Sequence, residues 1–162
     1  MPGEGIFLQL ERSAFGETVR TAPYAYPALE TMHLAGISLL LGTIVAVDLR
    51  LLGVGRRLVS VRALLHFLLP LSRIGFALAL ITGCMMFGGI AASVVASAAA
   101  PWKFALLVLA GVNVAAFHRS VFPSVATWDL HVAPPWAARI SAIVSLACWG
   151  GVLTAGRLLA YV

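Results

Sequence analysis

Apolar runs long enough to cross a bilayer alternate with short polar links along most of this chain. A transmembrane helix needs about 20 mostly apolar residues to span the hydrocarbon core. Segments at about 30–51, 67–91, 102–121 and 138–160 meet or nearly meet that length. The second is the cleanest, with no ionised residue between Arg73 and Lys103. The others are shorter in their uncharged part and are flanked by charges able to snorkel to the interface. The period-two alternation of a β-barrel is missing. The pattern therefore predicts an all-α fold, an integral membrane four-helix bundle over 29–162, with an N-terminal interfacial segment over 1–28.

The links carry their own signals. "GVGRRLVSVRALLHF" predicts a short interfacial helix over 58–68, ahead of Pro70, before the chain enters the membrane. "AASVVASAAAPWK" puts Pro101 at a helix start. "FPSVATWDLHVAPPWAAR" holds Pro123, Pro134 and Pro135, which break helices, and Trp128 and Trp136, which suit the membrane interface. Near the N-terminus, "IFLQLERSAFGETVR" reads as a surface helix whose apolar face is interrupted by Glu11, and "APYAYPALE" as an extended lead-in. Gly75, Ala79 and Gly83 repeat at four-residue spacing, and Gly36 and Gly42 lie on the first span. Small residues let membrane helices approach closely, within one bundle or in a self-dimer.

Composition agrees with the pattern. Hydrophobic residues make up 61% of the 162 and charged residues 10%, against roughly a quarter charged in a soluble domain. The formal charge of +5 comes from arginines scattered at the ends of apolar runs, without a basic stripe interleaved with aromatics. That argues against nucleic acid and points to anionic lipid. Cys84 and Cys148 sit inside apolar runs at no metal-binding spacing and read as small buried hydrophobes. The first 28 residues, with Glu4, Glu11, Glu17, Arg12 and Arg20, are unlike a cleavable signal peptide. Four crossings put both termini on one side. The opposite, loop side carries Arg50, Arg56, Arg57, Arg62, Arg119 and Arg139; the terminal side carries Arg12, Arg20, Lys103 and Arg157. The positive-inside rule then expects a cytoplasmic loop side, with the termini outside, in a bacterial inner membrane.

Ionisable residues inside membrane segments are rare and are functional candidates. Glu30, His33, Lys103 and Arg157 form a terminal-side layer. Glu30 and His33 are three apart and share a helix face; Glu30 is expected to pair with Lys103 or Arg157, or one of those cations to hold an acidic group of a ligand, such as a haem propionate. Asp48, Arg50, Arg73, His66 and His118 form a loop-side layer. A lone buried charge is costly, so an Asp48–Arg73 contact is expected, with Arg50 as the alternative partner. Haem b is a candidate cofactor, because membrane cytochromes hold iron with imidazoles from facing helices. His66 and His118 would be one axial pair. His33 would be a ligand with Met85 or Met86, or a copper ligand with Met32, Met85 or Met86, and the neighbouring acid could orient its ring. His131 reads as a loop residue and Asn113 as an interhelical hydrogen-bonder. Hydrolase, kinase and transferase signatures are missing, and four helices with acids near their ends make a poor transporter.

The stretch "YPALETMHLAGISLLLGTIVAVDLRLLG" resembles a family of small bacterial four-helix membrane proteins of unknown function. The matching residues are Tyr26, Pro27, Glu30, His33 and Asp48 to Gly53. The likeness continues through "GFALALITGCMMF", Lys103, Asn113, Phe117, His118, Ser145, Trp149, Gly156, Arg157 and Tyr161, covering the chain from about residue 22. His66 lies outside the family pattern. The resemblance implies a four-helix fold and no biochemical activity; a weaker likeness to small haem-binding and copper-related bundles is one of fold only. Two function classes follow: a haem b or other cofactor-binding subunit transferring electrons at the quinone level, and a non-catalytic accessory subunit of a larger membrane complex or homo-oligomer.

Overall fold

A computed structural model describes residues 5–159, and every regular element among them is helical. Two short helices, α1 (Ile6–Glu11) and α2 (Ala14–Thr21), precede α3 (Ala25–Leu51), α4 (Val61–Ala96), α5 (Ala99–Ala116) and α6 (Trp136–Leu158). A π-turn at Phe117–Val121 and a 3-10 turn at Phe122–Thr127 extend α5. Four spans are long and apolar enough to cross a membrane: Ala25–Leu51, Val61–Ala96, Ala99–Thr127 and Trp136–Leu158. This is the expected membrane four-helix architecture. Tyr161 of the resemblance and Glu4 lie outside the described residues.

Several boundaries differ from the sequence expectation. The lead-in "APYAYPALE" is already helical from Ala25, and the chain turns into it at Tyr24, which takes the left-handed conformation with φ 63°. Residues 61–68 are not a separate interfacial helix. Ser60 caps them, its hydroxyl accepting from the Ala63 amide, and they run straight into the second span. Pro70 sits inside α4 without ending it, as membrane helices tolerate when the freed backbone groups are satisfied locally.

The N-terminal segment packs against α4 rather than only lying on lipid. Its polar interruption has a specific task. α4 leaves helical geometry at Ile90 (φ −139°, ψ 30°), just after Gly88 and Gly89. The break frees the amide of Ala92, which donates to Glu11 Oε1 at 2.9 Å. The Gly16 backbone seats on Gly88, where a Cβ on Gly16 would lie 2.6 Å from the Gly88 carbonyl oxygen. Glu11→Ala leaves that amide in an apolar setting and removes a bond to a charged group, about 1.5–3 kcal/mol. The expected result is faster tryptic cleavage after Arg12 and Arg20 with the four spans still protected; an unchanged digestion pattern would show that Glu11 does not hold the segment.

α3 packs along α4 and α5 along α6, and α3 also meets α6; α4 and α5, although consecutive, barely touch. The α3–α4 approach rests on small residues: a Cβ on Gly36 would lie 2.7 Å from the Ala79 nitrogen, and one on Gly75 2.7 Å from the Leu40 nitrogen. Gly42 has no neighbour within 4 Å of its Cβ position and takes no part. The hydrophobic core gathers at the loop side, where Leu51, Val61, Leu65, Phe117, Val121, Val125, Trp128, Ala138 and Ala142 are buried together. Trp128 is thus a core residue, its indole N–H donating to Ser124 Oγ at 3.1 Å, and not an interfacial anchor. Trp136 is exposed, as expected of one.

Candidate functional site

The loop-side layer is organised by Asp129, a residue the sequence reading passed over. Its Oδ1 accepts from the Val61 amide at 2.6 Å and its Oδ2 from Ser60 Oγ at 2.6 Å. Arg50 Nη2 lies 3.4 Å from Oδ1, an ion pair in which the arginine is 3% exposed. The same guanidinium donates to the carbonyls of Val59 (2.5 Å), Arg56 (3.3 Å) and Asp129. Arg50 therefore ties the end of α3 to the α3–α4 and α5–α6 links, and Asp129 carries the tie on to the start of α4.

This corrects the expected pairing. Asp48 and Arg50 are two apart and so occupy different faces of α3. Arg50 turns to Asp129, Arg73 is exposed, and neither forms an ion pair with Asp48. Asp48 is 5% exposed with Ser145 of α6 set against it, and its Oδ2 has no hydrogen-bond partner. An unmatched buried acceptor is costly. Asp48→Asn, which keeps the shape and removes the acidic group, is expected to leave thermal stability in detergent unchanged or raise it by up to about 1–2 kcal/mol. A loss of that size instead would reveal an unrecognised partner of Asp48.

In the terminal-side layer, His33 reaches from α3 to α4. Its Nδ1 sits 2.8 Å from the Ala79 carbonyl oxygen and 3.2 Å from Thr82 Oγ1. A carbonyl only accepts, so Nδ1 carries the proton and Nε2 is the unprotonated nitrogen of the neutral ring. The ring fills the space left by Gly83, where a Cβ would lie 2.9 Å from the ring Cε1. Glu30 and Lys103 are near enough for their charges to act on His33. Glu30 is exposed and forms no ion pair with Lys103 or Arg157, contrary to expectation. Lys103 is half-buried and lies over Gly156 of α6, with Nζ 3.7 Å from that glycine's Cβ position. Arg157 is exposed.

The soft donors are dispersed. Met32 is exposed at 48%, and Met85 and Met86 are half-buried on α4. The described residues contain no group of three or more His, Cys, Asp or Glu placed to hold a metal ion. Asn113 behaves as expected: its amide donates to the Ser141 carbonyl at 2.9 Å, and Ser141 Oγ donates to its Oδ1 at 3.2 Å, joining α5 to α6.

The structure does bring His66 and His118 together. They line one cleft of about 250 Å³ with Arg62, Leu65, Leu69 and Phe122, between the start of α4 and the π-turn. His118 Nδ1 is 2.9 Å from the Val114 carbonyl oxygen, which leaves Nε2 as its available nitrogen. The imidazole is held among aromatic rings, 5.4 Å from Phe117 and 5.7 Å from Phe122 between centroids. π-turns recur at functional sites because the extra residue re-aims a side chain. His131 is exposed in the α5–α6 link.

Haem can be tested against these positions. At His33 the free Nε2 is a suitable donor, yet the ring lies in the α3–α4 interface against Gly83. At His66 and His118 the donors suit the group, but 250 Å³ falls below the roughly 300–1,000 Å³ of small-molecule pockets. Comparison with family models, curated proteins and solved structures gives no match for this chain.

Proposed function

We propose that this chain is a non-catalytic integral membrane subunit, a rigid four-helix scaffold that supports a larger membrane assembly. The observation behind this reading is the use of its polar groups at depth. His33, Arg50, Asn113 and Glu11 each hydrogen-bond to another segment of the chain. Such bonds join membrane helices where apolar side chains find lipid as good a partner as protein. In this role the loop side faces the cytoplasm of a bacterium, as the distribution of arginines expects. Purification in mild detergent tests the reading: a colourless, metal-free preparation with a stoichiometric membrane partner is the expected result.

The second reading is a subunit carrying haem b for electron transfer at the quinone level, and the shared cleft of His66 and His118 is what favours it. Haem bound there would supply a one-electron centre, and His66 and His118 would hold it. A Soret band and a reduced-minus-oxidised α-band, both lost in His66→Ala and in His118→Ala, would replace the scaffold reading with this one. A copper site would instead show as bound metal lost in His33→Ala.

A further inference from the structure

We propose that the cleft lined by Arg62, His66 and His118 seats the phosphate of an anionic phospholipid, with the acyl chains leaving along the open edge between α4 and α5. The lining has two characters: a guanidinium and two imidazoles, then Leu65, Leu69 and Phe122. A soluble anion would have no use for the apolar half, and a metal cation would be repelled by Arg62. A lipid phosphate uses both, because Arg donates in a planar fork that matches phosphate oxygens.

The surroundings favour an anion. Among the described residues Arg62 has no acidic partner. The nearby acid, Asp129, is already engaged by Arg50, Ser60 and the Val61 amide. Arg56, Arg57 and Arg119 add positive charge at the same end of the bundle. Basic pockets between helices at the membrane surface select anionic head groups by this means. The imidazole of His118 is fixed by the Val114 carbonyl and two phenyl rings, so its Nε2 is placed before any ligand arrives; it donates to a phosphate oxygen in the imidazolium form, in which both ring nitrogens carry hydrogen. α4 and α5 make little contact, which leaves the edge between them open to acyl chains.

The test uses the full chain, purified in detergent, stripped of lipid, and exposed to phosphatidylglycerol, phosphatidylcholine or inorganic phosphate, with retained lipid counted by native mass spectrometry. One phosphatidylglycerol per chain is expected to stay bound, with phosphatidylcholine lost. Arg62→Ala is expected to weaken retention about fivefold, since one Lys or Arg near the surface contributes about 1 kcal/mol, and His118→Ala to weaken it in the same direction by removing a donor from the cleft. Arg57→Ala, outside the cleft, is expected to retain lipid as the parent does. Equal retention of both lipids, or equal loss in Arg57→Ala and Arg62→Ala, would overturn the site. Thermal stabilisation by inorganic phosphate but not by phosphatidylglycerol would overturn the lipid as its occupant. If His118→Ala fails to fold, Arg62→Gln carries the same comparison, because Arg62 is exposed on the first turn of α4.

Discussion

Asp129→Ala is expected to destabilise the bundle by about 3–5 kcal/mol, the range for leaving one member of a buried ion pair without its partner. The carboxylate collects three donors: Ser60 Oγ, the Val61 amide and Arg50 Nη2. Its loss leaves the Arg50 guanidinium, 3% exposed, with backbone carbonyls but no counter-charge. It also removes the acceptor for an amide in the first turn of α4, where a negative group further favours the positive end of the helix dipole. Asp129→Asn keeps an acceptor oxygen and is expected to cost less. Arg50→Met combined with Asp129→Ala removes both charges and is expected to recover much of the loss, because apolar replacement of a whole buried pair is often neutral. Thermal unfolding of the parent, Asp129→Ala, Arg50→Met and the double variant in one detergent gives the coupling energy as a double-mutant cycle. If Asp129→Ala unfolds within about 1 kcal/mol of the parent, the loop-side network is not what holds these segments.

The spans were legible because length and apolarity are local properties: each run carries its own signal, and lipid demands it. Pairing across the loop side was not legible. Arg50 and Asp129 are 79 positions apart, and the cost of a lone buried charge pointed instead to an Asp48–Arg73 contact, with Arg50 as the alternative partner of Asp48. Helix geometry offered a partial warning, since residues two apart cannot share a face, which already separates Asp48 from Arg50. Glu11 is similar. Read along its own helix it spoils an apolar face, and only the break at Ile90 in another helix gives it a purpose. Gly88 and Gly89 were the signal for that break, as adjacent glycines weaken a helix.

The candidate site divides the same way. That His66 and His118 lie at one end of the bundle followed from topology alone; that Arg62 joins them, and that a π-turn sets His118, followed only from the fold. His33 stood out in the sequence as a candidate ligand sharing a helix face with Glu30. Its main partner is a backbone carbonyl, which no residue pattern announces, although Gly83 on the four-residue repeat marked where a ring could fit.

That repeat carries the second large effect. Gly75→Leu is expected to cost at least about 3 kcal/mol, above the usual upper end for an overpacked core position, because what stands in the way is main chain rather than a side chain able to rotate. A Cβ on Gly75 would meet the Leu40 nitrogen at 2.7 Å and the Gly36 carbonyl oxygen at 2.9 Å. Gly36 meets the Ala79 nitrogen at 2.7 Å and the Gly75 carbonyl oxygen at 3.0 Å. Each glycine thus faces the backbone of the other's helix, and α3 and α4 must separate to admit any branch. Separation also breaks the His33 bond to Ala79 and Thr82, since those residues lie one and two turns further along the same α4 face. Gly75→Ala tests the smallest version of the clash and is expected to cost about 1–3 kcal/mol. Gly42→Leu is the matched control: on the facing span α3, with open space around its Cβ position, it is expected to stay within about 0.5 kcal/mol of the parent. Equal melting of Gly75→Leu and Gly42→Leu would mean that α3 and α4 are not in backbone contact, and the placement of His33 would fall with it.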